Sequence, residues 1–187
     1  MQKHVDPVRQ ADQFVARARS LARSRSWRSP SLLLCGDYDG DLPLSYILKF
    51  MDRVEQKTGV VPVAYLENSQ ELKLKTRAAS RSVRDRLRRA PYWLALYSHT
   101  SGAGPVFPAP GNPRNLVKQY RVWDDWAMWQ YGGVAWENKA ARPQVYSHGR
   151  YRNSQFFGNM DRPVERNVFR GSEGQLRSFW QRHGVSL

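Results

Sequence analysis

The chain has 187 residues, 41% of them hydrophobic and 12% aromatic, which describes one globular domain with a sizeable core and excludes a disordered chain. Thirty Lys and Arg against sixteen Asp and Glu give a net charge of +14, a field that favours polyanions such as nucleic acid, anionic lipid surfaces or an anionic cell wall. No apolar run approaches the length of a membrane helix, and the opening MQKHVDPVRQ has no apolar signal-peptide core. The lone Cys35 excludes an internal disulfide and leaves the compartment open.

Helices and strands alternate along the chain. Asp6 followed by Pro7 is a helix cap with proline at the first helical position, and Val8, Ala11, Val15, Ala18 and Ala22 repeat at helical spacing to about Arg23. After the break at SWRSPS, Ser31 to Cys35 forms a short buried strand. Pro43 opens a second helix with Leu44, Ile47, Leu48, Met51 and Val54 on one stripe, closed by Gly59. VVPVAYL (60–66) is β-rich, with Pro62 at a strand start or edge. A polar, partly helical stretch from Ser69 to Arg89 turns Val83 and Leu87 inward. YWLALYS (92–98), DWAMWQYG (125–132) and VERNVF (164–169) are strand-like, separated by long loops at about 98–122 and 133–163. Ser172 opens a terminal helix with Gln175 at the capping-box position. The order implies an α/β fold with a largely parallel sheet and a site at the strand C-termini.

LLLCGDYDGDL (32–42) sets acids directly behind an apolar strand. Asp37 and Asp39 lie two apart on an extended segment, so both side chains point to the same side. Close carboxylates raise the pKa of one of the pair, leaving a proton donor beside an ionised neighbour. Glycosidic bond cleavage uses that division of labour. The plainer reading is a solvated Asp-Gly-Asp turn. A Mg²⁺ or Ca²⁺ site is a third reading, although no EF-hand spacing follows. His4, His99, His148 and His183 show no metal-type spacing, so neither a metal nor a cofactor is expected. The arginines of 9–28 and 77–89 serve equally as solvated helix faces or as a binding surface.

GDYDG, the helix ending VEQKTG, VVPVAY, PYWLALY, DWAMWQYG and VERNVFRGSEGQLRSFW occur in the order seen in glycoside hydrolase family 25, the Chalaropsis-type lysozymes, and DPVRQADQF resembles the helix preceding their catalytic strand. The resemblance implies one domain over 1–187 with an irregular TIM-like β/α barrel. It also implies hydrolysis of the β-1,4 bond between N-acetylmuramic acid and N-acetylglucosamine in bacterial peptidoglycan. By the same resemblance the catalytic positions are Asp37, Asp39 and Glu165, and the substrate-binding positions are Tyr65, Trp93, Tyr97, Trp129, Gln130 and Tyr131. Alternation along DWAMWQY puts Trp129 and Tyr131 on one side of the strand and Gln130 on the other. Gln130 and Tyr131 are expected near the mouth of the cleft.

Two positions depart from the family pattern. The family has Asp-x-Glu where this chain has Asp37 and Asp39, which draws the acid back by one methylene. The family also begins with strands that nothing before Asp6 supplies. An N-terminally incomplete barrel, impaired in activity and prone to self-association, is therefore expected. The leading functional expectation is a muramidase acting on the cell wall. An inactive wall-binding module and a basic nucleic-acid-binding protein are the alternatives. Aromatics gather on strands and do not interleave with the arginine runs, which favours sugar over nucleic acid.

Overall fold

The structure is a computed structural model and describes residues 1, 3–25, 32–38, 40–96, 113–132 and 165–187. The Asp6 carboxylate accepts a hydrogen bond from the Arg9 N–H, and α1 runs Pro7–Ser24 with Ala11, Val15 and Ala22 buried. The apolar run behind it divides at Leu34. β1 (Leu32–Leu33) pairs antiparallel with β7 (Gly184–Val185), tying the C-terminus to the strand that leads to the acids. β2 (Cys35–Tyr38) enters the main sheet, so the strand extends three residues beyond the expected end at Cys35 and carries Asp37 within it. α2 (Leu44–Thr58) follows Pro43 and ends at Gly59, whose φ of 75° only glycine adopts without strain.

β3 (Val63–Glu67) starts immediately after Pro62. Ser69 caps α3 (Gln70–Ala78) and Ser80 caps α4 (Arg81–Arg88), each side-chain oxygen accepting a backbone N–H. β4 is Tyr92–Ala95. The stretch 98–122, expected as loop, contains α5 (Arg114–Lys118) in its described part, anchored by the fully buried Val117. β5 (Met128–Gly132) and β6 (Arg166–Phe169) follow, and the expected loop 133–163 between them lies outside the described residues. α6 (Glu173–His183) opens with the anticipated capping box between Ser172 and Gln175. Phe179 on α6 packs against Phe169 at 5.3 Å between ring centroids.

The main sheet has five strands in the order β2-β3-β4-β5-β6. β2 to β5 are parallel, as expected, whereas β6 runs antiparallel to β5 with an irregular register between Gln130 and Gly132. The expected irregular and incomplete β/α barrel takes the form of an open mixed sheet: β2 and β6 occupy its two edges, and no closed barrel forms among the described residues.

Register sorts the side chains into two faces. Tyr38, Leu66, Leu94 and Trp129 are aligned neighbours across four strands, and all are buried. That row joins Phe50, Met51 and Val54 of α2 and Ala11 and Val15 of α1 in the core. α1 and α2 are held together on this side by Arg53, whose guanidinium donates to both Asp12 oxygens at 2.7 and 2.9 Å. Arg86 of α4 and Arg89 just past its end pair with Asp52 and Glu55 of α2. The next row, Asp37, Tyr65, Trp93 and Met128, points the opposite way.

Candidate active site

The row on the far side from the helices supplies the site. Asp37 is exposed on the edge strand β2, with Tyr65 as its neighbour in register on β3 and Trp93 next on β4. Tyr65 and Trp93 are half-buried and meet edge to face, their ring centroids 5.5 Å apart at 90°. The Tyr65 hydroxyl donates to Gln130 Oε1 at 2.7 Å, and Gln130 Nε2 donates to Glu165 Oε2 at 3.0 Å. Trp93 Nε1 donates to Asn167 Oδ1 at 2.9 Å.

Each tyrosine or tryptophan bond skips a strand. Tyr65 on β3 reaches over β4 to β5, and Trp93 on β4 reaches over β5 to β6. Strands two apart are separated by about 9.5 Å in a flat sheet, a span that an aromatic side chain and a hydrogen-bonding amide cover together, so these bonds tie alternate strands across this face. The buried Gln130, only 3% exposed, is the pivot. Its amide has one arrangement here: the oxygen takes the tyrosine proton and the nitrogen serves the carboxylate. Gln130 thus fixes Glu165 at the rim.

The turn after β2 is held from below. Lys75 Nζ donates to the carbonyls of Gly40 and Leu42 at 2.8 and 3.3 Å. A Cβ at Gly40 would come within 2.6 Å of Glu67 Oε1 and 2.8 Å of Ser69 Oγ, so the turn packs directly on the end of β3. Asp41, the third acid of the run, pairs with Lys3 at 2.7 Å. That hydrogen bond holds its carboxyl below the ordinary carboxylate range. Burial pushes the Cys35 thiol up to about 12, with the Asp37 charge adding to the effect. Cys35 is therefore a protonated packing group and not a nucleophile.

The structure brings Asp37, Tyr65, Trp93, Gln130 and Glu165 to one face. Trp129 and Tyr131 lie on the other: they are 3% and 4% exposed, sit in the core cluster, and Trp129 Nε1 donates to the Leu96 carbonyl at 2.7 Å. Strand alternation thus separates Tyr131 from Gln130, with which it was expected at the mouth. Asp39 and Tyr97 lie outside the described residues. Sequence reasoning did not single out Lys75 or Asn167. Asn167 follows Glu165 by two residues, the same-face spacing of a strand, whereas nothing in the sequence points to Lys75 because its partners are backbone carbonyls. Among the described residues no three His, Cys, Asp or Glu side chains are grouped to hold a metal ion, and no helix is long and apolar enough to cross a membrane.

A sheet whose parallel strands end in carboxylates and half-exposed aromatics matches known lytic enzymes in fold. The bacterial lysozyme of Streptomyces coelicolor superposes with a TM-score of 0.53 at 15% identity, over 96% of this chain and 68% of that one. The spore cortex lytic enzyme SleM of Clostridium perfringens superposes with a TM-score of 0.52 at 21% identity, over 90% of this chain and 46% of that one. The chain shares their α/β fold and spans about half to two thirds of their length. No family model and no curated protein sequence matches it.

Proposed function

We propose that the chain is a glycoside hydrolase that cleaves the β-1,4 bond between N-acetylmuramic acid and N-acetylglucosamine in peptidoglycan. The observation that carries this reading is the convergence of Asp37, Tyr65, Trp93 and the Gln130–Glu165 pair on one face of the sheet. Likeness in fold to a lysozyme and a spore cortex lytic enzyme supports it. Tyr65 and Trp93 offer apolar faces and polar edges of the kind that hold a pyranose ring. Asp39 protonates the glycosidic oxygen. Asp37 supports the charge that develops at the anomeric carbon, directly or by orienting the substrate's N-acetyl group, and Glu165 completes the acidic rim. The net charge of +14 draws the protein to an anionic wall, an attraction that added salt weakens.

One feature favours a second reading, a wall-binding module without activity. An aspartate at position 39 is one methylene shorter than the glutamate of the resembling family, and a displacement of about 1 Å costs roughly 10²-fold in rate. Clearing of bacterial wall suspensions separates the two. Asp39→Asn should abolish clearing while the protein still pellets with walls, and Asp39→Glu should match or exceed the natural chain. Undiminished clearing by Asp39→Asn would remove the proposed acid. Wall binding without clearing by the natural chain would establish the module.

A further inference from the structure

A pocket shares Asp37 with the candidate site. It is a cleft of about 740 Å³ along the outer side of β2, lined by one ridge of α1 and by Asp37. The half-buried Phe14 forms its apolar floor, backed by the buried Phe50 at 5.8 Å between ring centroids. Arg9, Gln13 and Arg17 recur at intervals of four along α1, so their side chains share one face of the helix, and all three line the cleft. Eight residues of helix separate the two arginines by about 12 Å.

The charge state of this ridge sets it apart from the other arginines packed on α2. Arg53, Arg86 and Arg89 each have a carboxylate partner. Among the described residues neither Arg9 nor Arg17 has one. In a protein of net charge +14 an unpaired arginine is ordinary when it faces bulk water. Two of them, spaced along the wall of a single cleft over an aromatic floor, form an anion-recognising surface. The Asp37 end of the cleft is its acidic end, so an anionic ligand group is favoured near Arg17 and disfavoured beside Asp37.

We propose that this cleft is a subsite for the carboxylate-bearing peptide branch of the glycan whose sugar backbone lies over Tyr65 and Trp93; the inference rests on the glycan-hydrolase reading. The branch leaves the sugar at Asp37 and runs along β2, its apolar side on Phe14 and its carboxylates on the two arginines. Gln13 lies between them on the ridge as a neutral hydrogen-bonding group. Arginine forks match a carboxylate with two parallel hydrogen bonds, which makes the recognition depend on charge and on shape.

The test is a binding titration with a disaccharide muropeptide carrying free carboxylates, the same compound with its carboxylates amidated, and neutral chitotetraose. The proteins are the natural chain, the double variant Arg9→Gln/Arg17→Gln, and Arg23→Gln as an α1 control outside the cleft. The double variant should bind the acidic muropeptide at least about tenfold more weakly. It should retain the natural affinity for the amidated compound and for chitotetraose, with an unchanged melting temperature, and Arg23→Gln should behave as the natural chain. Equal affinity of the natural chain for the acidic and amidated compounds would overturn the proposal. So would equal losses in the double variant and in Arg23→Gln, which would reduce the effect to overall charge. Displacement of the acidic muropeptide by inorganic phosphate at matched ionic strength would replace the carboxylate subsite with a general anion site. Carboxylate-dependent binding without wall clearing would count against the hydrolase reading alone, and clearing without carboxylate preference against the cleft alone.

Discussion

Replacing Gln130 with leucine tests whether the amide positions Glu165 or merely fills space. The side chain is 3% exposed and makes two hydrogen bonds, one from a neutral hydroxyl and one to a carboxylate. Bonds of these kinds contribute about 0.5–1.5 and 1.5–3 kcal/mol. Leucine keeps most of the volume, the exposed Glu165 recovers water, and the half-buried Tyr65 hydroxyl recovers it in part. The net loss is therefore about 1–2 kcal/mol, which for a domain of this size lowers the melting temperature by roughly 2–8 °C. Activity should fall further than stability implies, on the order of tenfold to a hundredfold in the initial rate of wall clearing, because Glu165 loses its tether. Gln130→Glu sharpens the comparison. It sets a second carboxyl beside Glu165, and like charges at that range raise the pKa of one of the pair, so this variant should lose activity as pH rises. Calorimetry and a clearing assay at several pH values read both effects. Wild-type clearing rates in Gln130→Leu, with the fall in melting temperature observed, would show that the amide supports the sheet and does nothing for Glu165.

Three further substitutions probe the scaffold. Asp12 is held below the ordinary carboxylate range, first by its hydrogen bond from Arg53; the stabilisation is fully present above the unfolded pKa of about 3.9 and is lost as pH falls through the lower folded value. Asp12→Asn should accordingly flatten the acid limb of a stability-against-pH curve and leave its neutral-to-alkaline shape unchanged; an unaltered acid limb would discount the pair. Gly59→Ala meets no atom within 4 Å but keeps a φ of 75°, so backbone strain alone should cost about 1–2 kcal/mol, read as a lower urea midpoint at constant slope. Ser172→Ala removes the side-chain acceptor of the α6 capping box and should cost about 1 kcal/mol, with faster amide exchange confined to the first turn of that helix.

Much of the scaffold is written in short-range chemistry. Asp6-Pro7, Ser69, Ser80 and Ser172-x-x-Gln175 mark helix starts because a capping side chain reaches backbone N–H groups only two or three residues away. Gly59 marks an end because the left-handed conformation is strained for a residue that carries a Cβ. Pro62 sets the start of β3 because proline donates no ladder hydrogen bond. α5 escaped notice because five residues of helix between proline-rich and tryptophan-rich stretches carry too little periodicity to register.

The candidate site was legible as residue types and not as an arrangement. That Asp37 and Tyr65 belong to adjacent strands was implied by the family resemblance of their motifs and is seen in the register of β2 and β3. That β5 turns Gln130 toward them and Trp129 and Tyr131 away does not follow from the sequence, since alternation is symmetric and only the packing of one side against helices breaks the tie. The antiparallel pairing of β6 likewise joins distant residues, as do the bonds of Tyr65, Trp93 and Gln130, which span 35 to 74 positions. The sequence by itself determined the boundaries of the capped helices α1, α2 and α6, the α/β order and the presence of acids behind an apolar strand, because each depends on neighbours within a turn or a strand. The tertiary structure alone decided which face of each strand meets solvent and which carboxylate meets which amide, because those choices are made by burial against elements distant in the chain.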